Sequence, residues 1–379
     1  MASIHSDIRA ALETHISNTA NLPDIAYENV AFDPTTGTSF IRVQYLPTLN
    51  RPAVRGLNPQ LRYQGVFAVT VFGEYIMAFA QGSRSSLSYI AESTFGTTPA
   101  GNFTNLPFST HSLNLTKDRV AGNDIQADRM PRVDRHGNRQ VAGDIVVDLR
   151  DADYDDILES AMLNTWSSDV LKVGTTPKFF SIEDYAADID QARLFTGCSV
   201  STMAISLAPN QMVATTFGMV GKNMTVSATQ KTQDAASGAA PFDAYSGDIG
   251  IGNVGGAASV AIVTALDFTL TNSFAPTFVI GDDSAPSLEY GRAEVEGTLT
   301  AYFEDAALIN RFLNESETEI EVSVNDPTGT NAYTFQFPKV KINSADVGVD
   351  GPTSRMISMS FVALFDATEA TNLKITRPS

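Results

Sequence analysis

One strand-to-helix unit occurs twice in this chain, which restricts it to folds that use one small domain in duplicate. Val141, Gly143, Ile145, Val147 and Leu149 are small or apolar at every second position, the period of a strand with one face buried. From Asp151 the period changes: Tyr154, Ile157, Leu158, Ala161 and Met162 share one helical face, with Asp151 as the expected N-cap. Val295, Gly297, Leu299, Ala301 and Phe303 repeat the alternation, Asp305 the cap, and Leu308 and Phe312 the helical stripe. Gly143 matches Gly297 and Asp151 matches Asp305, both 154 residues later. Upstream, residues 112–116 match 267–271 at an offset of 155. Downstream, the strand with Val213, Phe217 and Met219 matches the one with Ile357, Met359, Phe361, Ala363 and Phe365; setting Phe217 against Phe361 gives an offset of 144. The first copy is thus expected to hold about ten extra residues, in the irregular run 164–190. So long an internal period means duplication of a whole unit, here a mostly β domain.

Composition narrows the function classes. With 379 residues, 43% hydrophobic and 18% charged, the chain is long enough for two or three domains with proper cores. It has no run of eighteen apolar residues, and its opening is an acid-containing amphipathic stretch rather than a signal peptide, so a soluble protein made in a cytoplasm, with no membrane partner, is expected. One cysteine, Cys198, precludes an internal disulfide framework, and four scattered histidines lack zinc-ligand spacing. Cys198, in a strand-like run, reads as a buried small hydrophobe. The formal charge of −18 opposes any grip on phosphate backbones.

Taken in order, residues 5–16 read as a helix with Ile8, Ala11, Leu12 and His15 on one face, and 39–46 and 63–72 as strands: a small α+β segment over 1–76. The run Phe40-Ile41-Arg42-Val43-Gln44-Tyr45-Leu46-Pro47, followed by Tyr63-Gln64-Gly65-Val66-Phe67-Ala68-Val69-Thr70-Val71, resembles the front half of phage tail terminator proteins. At Met77 the text restarts: Met77-Ala78-Phe79-Ala80-Gln81-Gly82-Ser83-Arg84, then Leu87-Ser88-Tyr89, Glu92 and Thr94-Phe95-Gly96-Thr97-Thr98-Pro99. With the duplication, residues 77–379 resemble tail tube proteins of long, flexible-tailed phages (siphoviruses). The resemblance implies β-sandwich or β-barrel-like domains, each with one flanking helix, whose sheets join side by side into rings that stack into a tube for DNA. It also implies tape measure, terminator and tail tip proteins as partners, a virion tail location, assembly in the host cytoplasm, and three duplicated chains filling six places in pseudo-sixfold symmetry. The codons for Gly73-Glu74-Tyr75-Ile76-Met77 can read GGAGAR just upstream of ATG, so Met77 is the expected start of the tube portion and 1–76 is expected to be dispensable for the tube.

The expected domains are then 1–76, a first tube copy at 77–228, an Ala-, Gly- and Ser-rich linker at 229–259, and a second copy at 260–379. Within the linker, Gly250-Ile251-Gly252-Asn253-Val254-Gly255 matches the dinucleotide fingerprint in form, but polar residues precede it and a strand-like run follows it. A nucleotide-binding protein built on that loop, or a surface-adhesion pair of β domains, is the competing reading. Asp151, Asp153 and Asp155 open like a calcium loop, yet the sixth and twelfth places hold Asp156 and Met162 instead of Gly and Glu; acids at a helix N-terminus account for them. No nucleophile constellation is present and no cofactor is expected.

Two surfaces follow from the tube reading. The segment 119–139 concentrates Arg119, Arg129, Arg132, Arg135 and Arg139 in a chain short of positive charge and is expected to reach from ring to ring. Opposite the apolar faces of the two repeated strands stand Asp144, Val146 and Asp148, and Glu294, Glu296, Thr298 and Thr300, expected to face an acidic lumen that DNA passes without binding.

Overall fold

The structure, a computed structural model, describes residues 24–27, 40–47, 51–52, 61–62, 65–72, 79–259, 262–329, 331–349 and 351–378. The chain divides into two units, Met1–Phe79 and Ala80–Ser379. In the first, Asp24–Tyr27 runs parallel to Phe40–Pro47, which pairs antiparallel with Gly65–Phe72. Both strands expected here are present, shifted by one or two residues; the helix expected over 5–16 lies outside the described residues.

The second unit is mainly β. Its first repeat holds β1 (Ser85–Ala91), β2 (Asn114–Ala121), β3 (Asp134–Asp148), α1 (Asp155–Met162), β4 (Val170–Lys172), β5 (Phe180–Ala186), β6 (Gln191–Leu207), β7 (Ala214–Gly221) and β8 (Asn223–Ser227). Its second repeat holds β9 (Asp243–Asn253), β10 (Gly256–Ser259), β11 (Val263–Thr271), β12 (Glu294–Tyr302), α2 (Ala307–Leu313), β13 (Thr318–Asn325), β14 (Ala332–Ile342), β15 (Asp346–Val347), β16 (Met356–Ala363) and β17 (Lys374–Thr376).

Pairing is the same in both repeats. The first orders β2, β3, β7, β6; the second orders β11, β12, β16, then the end of β14 with β15. Because β6 also pairs antiparallel with β11, the two runs form one eight-strand sheet from β2 to β15. The first halves of β6 and β14 belong to a second layer, with β5 and β1 beside β6, and β13 and β9 beside β14. Each long strand changes sheet at the same irregularity. Phe180 faces Cys198 but Ile182 faces Phe195, and likewise Thr318 faces Val340 but Ile320 faces Phe337. An extra residue on one strand bends it, so one strand can serve two layers around one core. Val141, Ile145 and Val147 from β3 and Val295, Leu299 and Ala301 from β12 point into that core, as their period of two requires. Phe268 of β11 meets Phe337 edge-on at 4.9 Å, and Phe337 meets Phe361 at 5.7 Å.

The sheet register corrects the sequence alignment of the repeats. Gly143 faces Met219 and Gly297 faces Phe361, so Phe361 answers Met219, an offset of 142 (361 minus 219) rather than 144. The shared bulge sets Ile320 against Ile182, an offset of 138 (320 minus 182), while both helices end on a left-handed residue at φ 49, Leu163 and Glu315, 152 apart. The first repeat therefore carries fourteen extra residues between helix and next strand (152 minus 138), not ten, and they include β4. The caps are corrected too. Helix α1 begins at Asp155, four residues after Asp151, and its N-cap position is Tyr154. Before α2, Asp305 does accept a hydrogen bond from the Ala307 amide at 2.7 Å, although Ala306 holds the N-cap position.

Residues 243–259, which composition reads as part of a flexible linker, are structured. They form the β9–β10 hairpin, and β9 pairs with β13 as β1 pairs with β5. The Gly250–Gly255 motif lies in this hairpin, with Val254 and Gly255 at its turn and β10, not a helix, after it. A dinucleotide site needs a strand-to-helix turn whose N-terminus receives the pyrophosphate, and this hairpin has none.

Candidate assembly surface

The eight-strand sheet presents one apolar face to the core and one polar face outward. Asp144, Glu294, Glu296 and Thr298 are exposed on the outward face, and Val146, Asp148 and Thr300 are half-buried there. The face continues across the junction between repeats. Thr298 stands between Asp267 and Ser360, and Glu296 between Thr269 and Val362. Ser206 of β6 donates to the Asp267 carboxylate of β11 at 2.5 Å. A concave groove lies over the junction, lined by Ser206, Thr216, Asp267, Glu296, Thr298 and Ser360. Strands that twist and coil make such a surface concave, and the carboxylates along it give it a negative potential.

The arginine segment is the β2–β3 hairpin, but its five arginines do different work. Arg119 bonds to Asp134 across the hairpin at 2.7 Å, and Arg132 pairs with Asp128. Arg139 is not at the tip: it pairs with Asp283 at 3.0 Å, and its amide donates to the Asp283 carbonyl. Among the described residues no ion pair engages Arg129 or Arg135; Arg129 sits at the tip with φ 61. Sequence reasoning attended to charge and missed the apolar residues of the same loop, Ile125 at 98% exposure and Met130 at 65%. The equivalent loop of the second repeat, after β11, carries Phe278, Val279 and Ile280, with Ile280 fully exposed. That loop lies against residues 135–138 and forms a groove with them. The missed signal is the run Phe278-Val279-Ile280, three successive apolar residues left exposed together, a kind of patch that marks interaction sites.

The repeats are also joined behind the sheet, where the acidic run of α1 meets internal partners. Asp155 accepts a hydrogen bond from the Tyr333 hydroxyl at 2.6 Å and pairs with Arg377, which also holds Asp169 at 2.9 Å and lies 4.6 Å over the Trp166 ring. The Ala152 amide donates to Tyr333 Oη at 3.0 Å. Lys178 takes Asp156 and Glu159, each at 2.6 Å. Asp155 thus goes to Arg377 while Asp156 and Glu159 share Lys178, so the run does not converge on one point. Burial, opposed by the Tyr333 hydrogen bond and the Arg377 charge, leaves the Asp155 carboxyl above its ordinary range. Strand β17 pairs with β4, so the extra residues of the first repeat receive the end of the second. Asn272, just after β11, donates to the Ala161 carbonyl at 2.7 Å and the Val200 carbonyl at 3.2 Å. Cys198 is fully buried, which pushes its thiol far up and leaves it inert.

Two edges of the great sheet remain open. β2 pairs with β3 on one side and with nothing on the other among the described residues, whereas its counterpart β11 is flanked by β12 and β6. At the far end β15 pairs, among the described residues, with β16 alone. Open edges of this kind invite another chain.

Comparison with known proteins agrees with this geometry. A family described as phage tail terminator protein matches residues 7–86, spanning the first unit. No curated protein matches the chain. The family described as phage tail tube protein matches residues 82–363, well over half of the chain and nearly the whole duplicated unit, and the chain accordingly belongs to the phage tail tube protein family.

Proposed function

We propose that this chain is a structural subunit that polymerises into stacked rings forming the tail tube of a siphovirus, the conduit for DNA delivery. The single observation that carries the reading is the continuous eight-strand sheet in which one repeat extends the other by edge pairing and, among the described residues, both outer edges stay open. A sheet that grows by repeats and has heterologous ends either closes into a ring or runs on as a filament. With two tube domains per chain, at 77–228 and 260–379 in the sequence division, three chains fill six places. The polar face with Asp144, Asp148, Glu294, Glu296, Thr298 and Thr300 lines the lumen, where carboxylates keep DNA moving by not binding it. The loops around Arg119, Arg129, Arg132, Arg135 and Arg139, with the apolar tips beside them, form the contact from ring to ring. The role is structural rather than catalytic and uses no cofactor; its partners are further copies of itself and the tape measure, terminator and tail tip proteins of a virion assembled in the host cytoplasm.

The test is negative-stain imaging of the purified chain with mass measurement of single rings. Stacked rings with a central hole and a mass of three chains are expected. Rings of six chains would remove the pseudo-sixfold arrangement, and a protein that stays monomeric at high concentration would remove the tube.

A further inference from the structure

The joint between the two repeats is a template for the joint between two chains. We propose that β2 of one chain adds antiparallel to residues 343–347 of the next in one defined register: Thr116 opposite Asn343, Leu115 opposite Ala345, Asn114 opposite Asp346 and Leu113 opposite Val347, with Lys117 over the last turn of α2. The proposal rests on the ring reading and names its contact surface.

The register comes from pairings within the chain. Inside it, Thr202 faces Thr271, Met203 faces Leu270, Ala204 faces Thr269 and Ile205 faces Phe268. On the β2 side the offset is 155, because Leu115 faces Val141 as Leu270 faces Val295. On the other side, Thr215 faces Ile205 as Ile357 faces Val347. Thr202 faces Gly218 of β7, and the Asn343 amide donates to the Ser360 carbonyl of β16 at the matching place. Transferring these correspondences leaves one register, with Ser344, whose hydroxyl meets that of Ser360, as the bulged residue, because Ala345 packs on the core as Met203 does. A slip by one residue would turn every side chain of β2 to the wrong face.

The positions equivalent to the inner joint are uncovered at the outer one. Leu207 is 5% exposed within the inner joint, while its counterpart Val349 is 69% exposed. Ala161, in the last turn of α1, is fully buried beneath Asn272, while its counterpart Leu313 on α2 is 66% exposed. Charge supplies an independent argument. The residue equivalent to Asn272 is Lys117, which is exposed. Asn272 donates to a carbonyl at the C-terminal turn of α1; at the C-terminal turn of α2 the chain places Glu315, paired with Lys341 on the surface. A lysine there meets both the helix carbonyls and a carboxylate, the charge that a helix C-terminus favours. The inner joint thus uses a neutral amide and the outer joint an opposite-charge pair, which distinguishes the two in assembly.

The test uses the full chain with Thr116→Cys and Asn343→Cys. Directly opposed residues of an antiparallel pair have Cα atoms about 4.5–5.5 Å apart, within the Cα range of a disulfide, whereas inside one chain the two positions lie at opposite ends of the sheet. Cys198 is buried and silent. Reduced rings like those of the parent chain establish that the variant folds. On oxidation, most of the protein should become covalent closed rings on a non-reducing gel, with a 116–343 linkage by mass spectrometry, while the shifted pair Thr116→Cys with Ala345→Cys stays largely uncross-linked. Rings in the microscope whose 116–343 pair stays reduced, or whose shifted pair cross-links instead, overturn the register and leave the ring reading standing. Absence of rings from the parent chain overturns both. Lys117→Glu should reduce ring yield at least tenfold while Lys117→Asn, the residue of the inner joint, retains it; equal yields from both overturn the role of Lys117.

Discussion

Gly143 shows what a single position contributes to this sheet. Its φ is +148, a conformation that residues with a side chain rarely adopt, and an added Cβ would lie 2.5 Å from the Ser112 carbonyl oxygen. Its counterpart Gly297 is small for another reason: a Cβ there would meet the buried Phe361 ring at 2.4 Å. Gly143→Ala should therefore destabilise the second unit by about 1–3 kcal/mol, read as a lower midpoint in denaturant with an unchanged slope. Asp155 makes a prediction about pH. Its folded-state carboxyl lies above the ordinary carboxylate value of about 3.9, so between that value and the raised one the folded state binds more proton than the unfolded. Stability from this group falls as pH rises through that window and is regained on acidification. Comparing Tm against pH for the parent and Asp155→Asn should show this slope in the parent and its loss in the variant. An identical pH profile for both would mean that Asp155 titrates normally.

At the scale of elements, the loops carry the surface and the strands carry the frame. The β2–β3 hairpin keeps its Arg119–Asp134 pair and loses only the exposed Arg132–Asp128 pair, so replacing Arg129, Arg132 and Arg135 by Glu should leave the melting temperature within about 2 °C of the parent, since exposed loop positions change stability little. Tube length in the microscope should collapse, because reversed charges at the contact between rings repel. Full-length tubes from this triple variant would reduce the hairpin to a solvated tip and shift the stacking role to the apolar residues Ile125, Met130 and Ile280. The two helices differ for a reason on the same scale. Helix α1 buries Ile157, Leu158, Ala161 and Met162, with β6 and β4 packed against it, while α2 buries no residue completely, which is consistent with the proposed cover of α2 by a neighbouring chain.

For the whole molecule, the division into Met1–Phe79 and Ala80–Ser379 agrees with the family matches, one to each unit. We propose that residues 1–76 are dispensable for the tube. Met77–Ser379 expressed alone should form rings of the same diameter, imaged side by side with the full chain. Failure to form them would make the first unit part of the assembly. Legibility from sequence also divided by scale. The duplication, the strand faces of Val141 to Leu149 and of Val295 to Phe303, and the buried stripe of α1 were all readable, because each depends on a local period that burial imposes on neighbouring residues. The β9–β10 hairpin was not readable: Gly, Ala and Ser give no alternating pattern, and only pairing with β13 makes those residues a strand. The offset of 142 was hidden for a related reason. Apolar residues recur every second place in β7 and β16, so a shift by two preserves the pattern and only the hydrogen-bonded partner, Met219 beside Gly143, selects the alignment. The sequence by itself determined that one β unit is used twice and which side of each repeated strand is buried. Only the tertiary structure decided that β6 joins β11 and that β2 and β15 are left open, because strand order arises from contacts between residues far apart in the chain, which local periodicity does not encode.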